Sequence, residues 1–370
     1  MVSKGTMAAI VIVIIAIGAA GAYIIVFNPF APPENPYDVA VVFATGGLGD
    51  KSFNDGVKEG LDDAVADFGI AYTYAEPTAI ADYEGFLRGF ARHQGYADPY
   101  DLIISVGFDQ EVALQTVANE STDQKFAIVD MYIDPTVYPN VASLLFDEHE
   151  GSALVGAVAG LMTTTGQIGF VGGMDIPLIN KFAAGYVFGA GYVNPTLNGT
   201  ANILANVSVA YTNDWVDTTA GQTLADGMYD AGVDIIFAAA GRSGLGVFDS
   251  VKDKNTTSDD PLWVIGVDSP QMYYGTADPE NPAAPTLCLT SMLKRVDIAV
   301  YTIIEDWVED GTWQTGFDLL YTFNLANNGV GYEINTALYT LPTSVTDAVD
   351  DFKAEIVAGT VVVPDAIYWT

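Results

Sequence analysis

Short apolar runs alternate with amphipathic segments along the chain from residue 37 onward. The first apolar runs span 38–44, 71–76, 101–107 and 125–130, and segments with helical periodicity lie between them near 52–68, 80–93 and 109–120. Strands that are buried on both faces read as continuous apolar runs, and helices of this length connect parallel strands. The pattern therefore predicts an α/β fold with a parallel sheet covered by helices.

The alternation restarts after a further apolar run at 140–146. A segment rich in alanine and glycine at 147–163 predicts a long helix. Strands are then predicted at 166–173, 206–212, 233–239, 262–268 and 285–291, with helices near 178–191, 217–231 and 243–253 and another beginning near Lys294. Two α/β units of similar size favour a ligand cleft between them, at the carboxyl ends of their strands.

The length of this body, about 330 residues, suits two lobes better than one core. We expect the chain to cross between the lobes near 143–148, 268–285 and 315–325. The first lobe then comprises residues 37–145 and about 270–320, and the second comprises 146–269 and about 321–360.

An uncharged apolar run at 7–27 precedes the body. It is long enough for a transmembrane helix to cross a hydrocarbon core of about 30 Å. Lys4 precedes the run, which predicts a cytoplasmic N-terminus at 1–6 and a single-pass anchor with the body outside the cell. The alternative is a cleaved signal peptide, because small residues at 19–22 would suit a peptidase. The Pro-rich segment 28–36 predicts a stiff spacer.

The net charge of -34 arises mainly from a shortage of bases, since 13 Lys and Arg face 47 Asp and Glu. Such an acidic surface repels polyanions, so we expect no nucleic-acid partner. A single cysteine, Cys288, excludes an intramolecular disulfide, a Cys-rich metal site and a lipid attached near the N-terminus. For an exported chain, Asn-x-Ser/Thr sequons make glycosylation plausible at Asn119, Asn198, Asn206 and Asn255.

Catalytic chemistry has little support in the sequence. The histidines, His93 and His149, belong to no motif with a nucleophile or with metal-ligand spacing. The acidic run 147–150 around His149 resembles a metal cluster only superficially, because neighbouring residues of a helix point to different faces. We interpret it as a solvated first helical turn and expect neither an enzyme nor a bound metal or cofactor.

The residues that follow the first predicted strand form a glycine-rich turn, TGGLGDKSFN at 45–54. Glycines allow backbone amides to approach a ligand, and a helix that begins near Ser52 directs its positive end to the same place. The turn matches neither a phosphate-binding P-loop nor the dinucleotide fingerprint.

This turn and the residues after it, GGLGDKSFNDGVKEGL at 46–61, resemble the basic membrane protein (BMP) family of substrate-binding lipoproteins. The resemblance continues in order through 101–108, 125–130, 166–186, 234–248, 264–271 and 289–300. It implies the type I periplasmic-binding-protein fold, with two doubly wound parallel-sheet lobes joined by a hinge. It also implies a purine-nucleoside receptor that serves an ABC transporter, with a transporter permease as its partner.

The resemblance assigns an aromatic sandwich and its neighbours. Phe53 matches the family residue that stacks on the base, and Trp215 is the candidate for the opposite face; both could instead be core aromatics. A planar base between two aromatic rings needs no further partner. Asn54 offers a donor and an acceptor to a ligand, or a local cap. Asp50 is either a helix cap or part of the site.

The sugar half of the implied pocket is polar. Asp268 matches the family residue that holds the ribose diol, and Lys294 matches the lysine beside the sugar, where it would neutralise Asp268 in a closed cleft. Asp130 ends the fourth predicted strand and could accept hydrogen bonds from base or sugar. Gly241 would bring its backbone close to the ligand.

One position departs from the family pattern. Nucleoside-binding relatives commonly carry Asp followed by Asn where this chain has Ala44 and Thr45. We keep Thr45 as a candidate contact, but the departure leaves room for another planar solute such as a flavin. A structural or sensory surface protein with the same fold is a further alternative, because fold alone does not specify function.

Overall fold

The structure is a computed structural model that describes residues 12–18, 21–27, 37–92, 100–197, 207–311 and 313–366. The predicted segments 1–6 and 28–36 lie outside these residues. From residue 37 onward the chain forms two lobes, each organised around its own sheet.

The N-terminal apolar run corrects one prediction. Its described parts form two antiparallel strands, β1 (Ile12–Gly18) and β2 (Gly21–Phe27), in place of the expected transmembrane helix. Among the described residues no helix is both long and apolar enough to span a membrane. The two strands are rich in isoleucine and valine, whose branched β-carbons favour an extended backbone. Apolar length alone therefore did not specify a helix.

The first lobe contains a parallel sheet with the order β4-β3-β5-β6-β7-β13. Its strands are β3 (Asp38–Val42), β4 (Ala71–Ala75), β5 (Leu102–Val106), β6 (Phe126–Val129), β7 (Val141–Phe146) and β13 (Leu320–Phe323). The associated helices are α1 (Phe53–Phe68), α2 (Tyr83–Ala91), α3 (Glu111–Glu120) and α8 (Val296–Asp310), with α8 packed on α1.

The second lobe repeats this arrangement with the order β9-β8-β10-β11-β12-β14, in which β14 alone runs antiparallel to its neighbour. Its strands are β8 (Ile168–Gly172), β9 (Val207–Tyr211), β10 (Ile235–Ala239), β11 (Trp263–Asp268), β12 (Cys288–Lys294) and β14 (Val330–Tyr332). Its helices are α4 (Glu148–Met162), α5 (Pro177–Val193), α6 (Thr218–Asp230), α7 (Leu245–Asn255) and α9 (Thr343–Val357).

The two-lobe α/β prediction is confirmed, and burial explains why it could be made. Strands β5, β6 and β10 are buried at every position. A strand covered by helices on both faces requires apolar side chains on both faces, which produces the continuous apolar runs in the sequence.

The largest difference from the predicted crossings between the lobes is at the return to the first lobe. The chain leaves the first lobe between β7 and α4, returns between β12 and α8, and leaves again between β13 and β14. The return was expected near 268–285 but follows Lys294, because β12 pairs in parallel with β11 and so extends the second sheet. Residues 270–294 therefore belong to the second lobe and not to the first.

Helices α4 and α5 approach each other closely because glycines line their contact. A β-carbon on Gly189 would lie 1.9 Å from the Ala153 carbonyl oxygen, and one on Gly185 would lie 2.0 Å from the His149 carbonyl oxygen. Real β-carbons do not approach backbone this closely, so larger residues would push the helices apart. This contact holds α4, and with it the start of the second lobe, against α5.

We expect Gly189→Ala to lower the free energy of unfolding by roughly 1–3 kcal/mol, since the added methyl group overpacks the helix contact. Gly227→Ala is the matched control: Gly227 is exposed on α6, and no described atom lies within 4 Å of the added carbon. It should be neutral or stabilising by up to about 1 kcal/mol, because alanine favours helix over glycine. Urea unfolding followed by circular dichroism measures both, and equal midpoints for the two variants would contradict the close contact.

Candidate functional site

A cavity lies between the lobes, at the carboxyl ends of the strands of both sheets. It encloses about 780 Å³ outside protein atoms, including the part open to solvent. Every residue singled out from the sequence as a ligand contact lines it, together with Asp50: Thr45, Phe53, Asn54, Asp130, Trp215, Gly241, Asp268 and Lys294. The structure thus brings together residues from both lobes that are far apart in the chain.

Asp50 caps helix α1, which is the first of its two proposed roles. Its Oδ1 accepts hydrogen bonds from the backbone N–H groups of Ser52 (3.0 Å) and Asp55 (3.2 Å), and its Oδ2 accepts one from Asn54 (2.8 Å). These groups have no partner within the helix itself. Burial raises the pKa of the Asp50 carboxyl, although the three N–H groups act in the opposite direction. The Asp50 side chain that caps the helix also lines the cavity.

The loop after β3 is held by two further hydrogen bonds. Asn54 is buried, and its Oδ1 accepts from the backbone N–H of Ala44 at 3.0 Å. The backbone N–H of Thr45 donates to the Tyr83 hydroxyl at 2.8 Å. These contacts connect the loop to both α1 and α2, so the backbone that faces the cavity is fixed before any ligand enters.

Aromatic rings reach the cavity from both lobes. Phe53 is the first residue of α1, in the first lobe. Trp215 follows β9 in the second lobe, and its ring covers Gly173: a β-carbon there would lie 2.2 Å from a ring atom. Gly241 has a φ of +54°, and a β-carbon on it would lie 3.8 Å from the same ring. Glycine at position 173 therefore makes room for the Trp215 ring at the cavity wall, whereas Gly241 is favoured by its positive φ.

A buried ion-pair cluster forms another wall. The Lys294 ammonium lies 2.6 Å from Asp130 Oδ2 and 3.1 Å from Glu148 Oε1. The three side chains are 2%, 5% and 1% exposed, respectively. Burial alone would lower the pKa of Lys294, but Asp130, Glu148 and Asp268 raise it well above its usual value, so the lysine is charged. The Nζ atom also lies 5.3 Å from the centre of the Phe53 ring.

Asp130 and Asp268 occupy equivalent places in the two lobes. Asp130 directly follows β6 and Asp268 ends β11, and each of these strands is the fourth in the order of its sheet. Both residues have a left-handed backbone, with φ values of 68° for Asp130 and 63° for Asp268. Burial raises the pKa of the Asp268 carboxyl to about 6, while Lys294 and the Ser52 hydroxyl act in the opposite direction. Burial likewise raises the pKa of Asp130, against the effect of Lys294.

The two carboxylates differ in how their oxygens are used. Asp268 Oδ2 accepts a hydrogen bond from the Ser52 hydroxyl at 2.5 Å. Asp130 Oδ1 is buried and has no hydrogen-bond partner among the described residues. A buried oxygen without a partner costs free energy. It therefore offers a strong acceptor to a ligand hydroxyl or N–H group that enters the cavity.

The cavity is bordered by contacts that cross between the lobes. Arg242 donates to the carbonyl oxygens of Gly46 (3.2 Å) and Leu48 (3.1 Å). The Gln271 amide donates to the Lys51 carbonyl oxygen at 2.8 Å. Together with the hydrogen bond from Ser52 to Asp268, these bonds hold the loop after β3 against the second lobe. The ion pair between Lys294 and Asp130 joins the lobes as well. The structure therefore shows the lobes in a closed arrangement.

Several residues of this site were not singled out from the sequence, among them Asp109, Glu148, Phe182 and Arg242. Asp109, Phe182 and Arg242 line the cavity, and Glu148 binds Lys294. The run 147–150 was interpreted as a solvated first turn, and for Glu148 this is wrong. The signal available was that α4 is apolar on every face, which places its first turn in the interior as well.

The remaining sequence candidates lie away from the cavity. Asn119 is exposed at the end of α3 and could carry a glycan. Asn255 is unsuited to one, because its amide donates to the carbonyl oxygens of Val251 (2.7 Å) and Leu262 (2.9 Å). Asn198, Asn206 and His93 lie outside the described residues. No group of side chains suited to a metal ion occurs in the described part of the chain.

Comparisons with known proteins agree with the two-lobe architecture. The family model for PnrA-like ABC transporter substrate-binding proteins (Bmp) matches residues 37–366. An uncharacterized lipoprotein of Pyrococcus horikoshii is 36% identical over 80% of this chain and 68% of its own length. The ABC transporter nucleoside-binding protein BmpA of Lactococcus lactis is 32% identical, covering 88% of each chain. A crystal structure of an ABC transporter solute-binding protein from Aeropyrum pernix superposes with a TM-score of 0.73 at 29% identity, covering 89% of this chain and 94% of that one.

We expect Lys294→Met to lower the free energy of unfolding by about 3–5 kcal/mol near pH 8, because it leaves buried carboxylates without their cation. Carboxyl groups whose pKa is raised on folding stabilise the fold at low pH, and this contribution is lost as the pH rises through about 4 to 6. Removing the cation raises those pKa values further, so the loss should be smaller near pH 5 than near pH 8. Lys252→Met, at a partly exposed lysine of α7, is the control and should change stability little at either pH. Denaturant unfolding at both pH values measures the effect, and an equal loss at both would contradict the account.

Proposed function

Because the chain belongs to the family of PnrA-like ABC transporter substrate-binding proteins (Bmp), we propose that it captures a nucleoside between its lobes and presents it to a transporter permease. The family comprises substrate-binding proteins, which agrees with the expectation that the chain is not an enzyme. The relative from Lactococcus lactis is named as a nucleoside-binding protein, and this supports a ligand of the same class here.

One observation carries the proposal: the same cavity combines aromatic rings from both lobes with buried carboxylates held beside a lysine. A nucleoside has the matching halves, a planar base and a sugar with adjacent hydroxyl groups. We assign the base to Phe53 and Trp215, since stacking on an aromatic ring contributes about 1–3 kcal/mol per base. A purine offers the larger surface for this contact and is the favoured base.

The sugar belongs at the ion-pair cluster in this proposal. Asp268 has one oxygen bonded to Ser52 and faces the cavity, so it can accept from a ribose hydroxyl. The unpartnered oxygen of Asp130 can accept another hydrogen bond, from sugar or base. Lys294 keeps these carboxylates charged as the cleft excludes water, and ionised carboxylates form the stronger hydrogen bonds. Thr45, Asn54 and Gly241 complete the contact surface.

Capture then requires that the cleft open and close. The bonds from Arg242, Gln271 and Lys294 to the first lobe must break for a ligand to enter. A ligand that contacts both lobes favours the closed state, because it binds that state with more contacts than the open one. The three connections at 146–148, 294–296 and 323–330 are the segments at which the lobes can rotate.

We also propose that the body works outside the cytoplasm and remains attached to the membrane. The uncharged run at 7–27 supports this, as does the relative that is named as a lipoprotein. The single cysteine is buried in β12, so a lipid at that residue is incompatible with the folded body. The apolar run itself is therefore the proposed attachment.

The attachment predicts that the mature chain keeps its N-terminal run. Mass spectrometry of protein extracted from washed membranes should detect peptides that include residues 7–27. A mature N-terminus beyond Ala22, with the body released to the soluble fraction, would contradict the attachment while leaving the ligand proposal intact.

The ligand proposal predicts that the two halves of the site respond to different parts of the nucleoside. Asp268→Ala should weaken a ribonucleoside more than tenfold, since it removes charged hydrogen bonds of about 1.5–3 kcal/mol each. The same variant should affect the 2′,3′-dideoxy analogue and the free base little. Phe53→Ala should weaken the nucleoside and the free base alike, because stacking does not involve the sugar.

Calorimetric titration of the full chain in detergent measures these affinities. Asp63→Asn, at an exposed acid of α1, controls for the loss of one negative charge. If Asp268→Ala weakened the dideoxy analogue as much as the ribonucleoside, the assignment of the sugar to Asp268 would be wrong. If a flavin bound and no nucleoside did, the ligand class itself would be wrong.

A further inference from the structure

Asp109 is a carboxylate in the cavity that neither the ion-pair cluster nor the helix cap uses. It lies in the short turn Phe108–Gln110 that directly follows β5. Strands β3 and β5 are neighbours in the sheet. The chain leaves β3 for β4 on one side and leaves β5 for β6 on the other side. Ligands of doubly wound sheets bind at such a switch point, outside the carboxyl ends of the two strands.

The orientation of the Asp109 carboxylate is fixed by a buried tyrosine. The hydroxyl group of Tyr83 donates to Asp109 Oδ2 at 3.0 Å and accepts from the backbone N–H of Thr45 at 2.8 Å. Tyr83 is completely buried, so its ring cannot turn without disrupting the core. One oxygen of Asp109 is thereby held in place, and the carboxylate as a whole lines the cavity.

The other oxygen, Oδ1, and the ring of Phe53 both border the space beside Gly107. A β-carbon built on Gly107 would lie 3.2 Å from Asp109 Oδ1, 3.4 Å from Ala44 Cβ and 3.9 Å from Phe53 Cε1. The three groups therefore converge on one small region of the cavity wall. Gly107 carries no side chain, which leaves this region open, and Ala44 contributes only a methyl group. If the base of a ligand stacks on Phe53, Asp109 is therefore the polar side chain at the edge of that base beside Gly107.

We propose that Asp109 selects the base, by accepting hydrogen bonds from neighbouring N–H groups on the edge of the ring. The proposal rests on the proposed nucleoside function and adds to it the identity of the base. An ionised carboxylate can only accept hydrogen bonds, and each of its oxygens has two lone pairs. Oδ2 can therefore serve Tyr83 and a ligand together.

The chemistry of such an acceptor pair distinguishes the purines. Guanine presents two neighbouring donors on one edge, N1–H and the 2-amino group, which match two carboxylate oxygens. Hypoxanthine presents only N1–H. Adenine places the unprotonated N1, an acceptor, beside its amino group, so one carboxylate oxygen would face a lone pair. We expect guanosine to bind most tightly, inosine less tightly, and adenosine at least ~10-fold more weakly than guanosine, as for other paired contacts to a base edge.

Asp109→Asn tests the assignment, because an amide is nearly isosteric but presents one acceptor and one donor. That pair is complementary to adenine on the same edge, where N1 accepts and the amino group donates. The variant should lose most of the guanosine preference and bind adenosine at least as well as guanosine. Asp63→Asn is the matched control for the charge change and should keep the wild-type order. Tyr83→Phe keeps the carboxylate but frees its orientation, so it should reduce the preference less than Asp109→Asn does.

The measurement is calorimetric titration of the full chain in detergent with guanosine, inosine and adenosine, with thermal unfolding to confirm that each variant is folded. If a variant does not fold, the affinities of the wild-type chain for the three nucleosides still test the proposal. Adenosine binding to the wild-type chain as tightly as guanosine would overturn the role of Asp109. An unchanged guanosine preference in folded Asp109→Asn would overturn it as well. Both of these results leave the nucleoside function standing. Failure of all three nucleosides to bind the wild-type chain would instead overturn the proposed function, and this inference with it.

Discussion

The arrangement of the cleft depends on one buried cation. Lys294 stands at the end of β12, directly before the chain crosses to the first lobe, and its ammonium contacts Asp130 from that lobe and Glu148 from the second. Without it the carboxylates of Asp130, Glu148 and Asp268 would repel one another, and the pKa values of Asp130 and Asp268 would rise further. Such a cluster is weak evidence for stability, because desolvating the charges costs about as much as their attraction returns. Its value lies in holding ionised acceptors at the site where the lobes meet, with an oxygen of Asp130 still unpartnered.

The two lobes present equivalent chemistry to this centre. Their sheets have matching strand orders, and an aspartate in a left-handed conformation stands at the end of the fourth strand of each. Because each lobe supplies a carboxylate and an aromatic ring, neither lobe alone can surround a ligand. The lobes are joined by bonds from Arg242 and Gln271 to the loop after β3. A solute that replaces water in the closed cleft would satisfy acceptors from both sides at once, which couples binding to closure.

Local sequence patterns predicted most of the strands, since burial on both faces leaves a continuous apolar run. The site residues could be found because they follow those strands and match a family pattern. Patterns could not assign β12 to a lobe, because its pairing with β11 is a contact between segments distant in sequence. The burial of Glu148 depends on what packs around α4, and the orientation of Asp109 depends on a tyrosine in another helix. The absence of an acidic residue at Ala44 pointed to a changed base site, but only the fold shows that Asp109 lies beside it.

The central claim, that a nucleoside is held between the lobes, is tested most directly by a crystal structure of the chain with guanosine bound. The account predicts electron density for the base between Phe53 and Trp215, with the ribose hydroxyls within hydrogen-bonding distance of Asp268 and the ammonium of Lys294 near the sugar. Density for the nucleoside outside the cleft, or in the cleft with its sugar away from both residues, would contradict it.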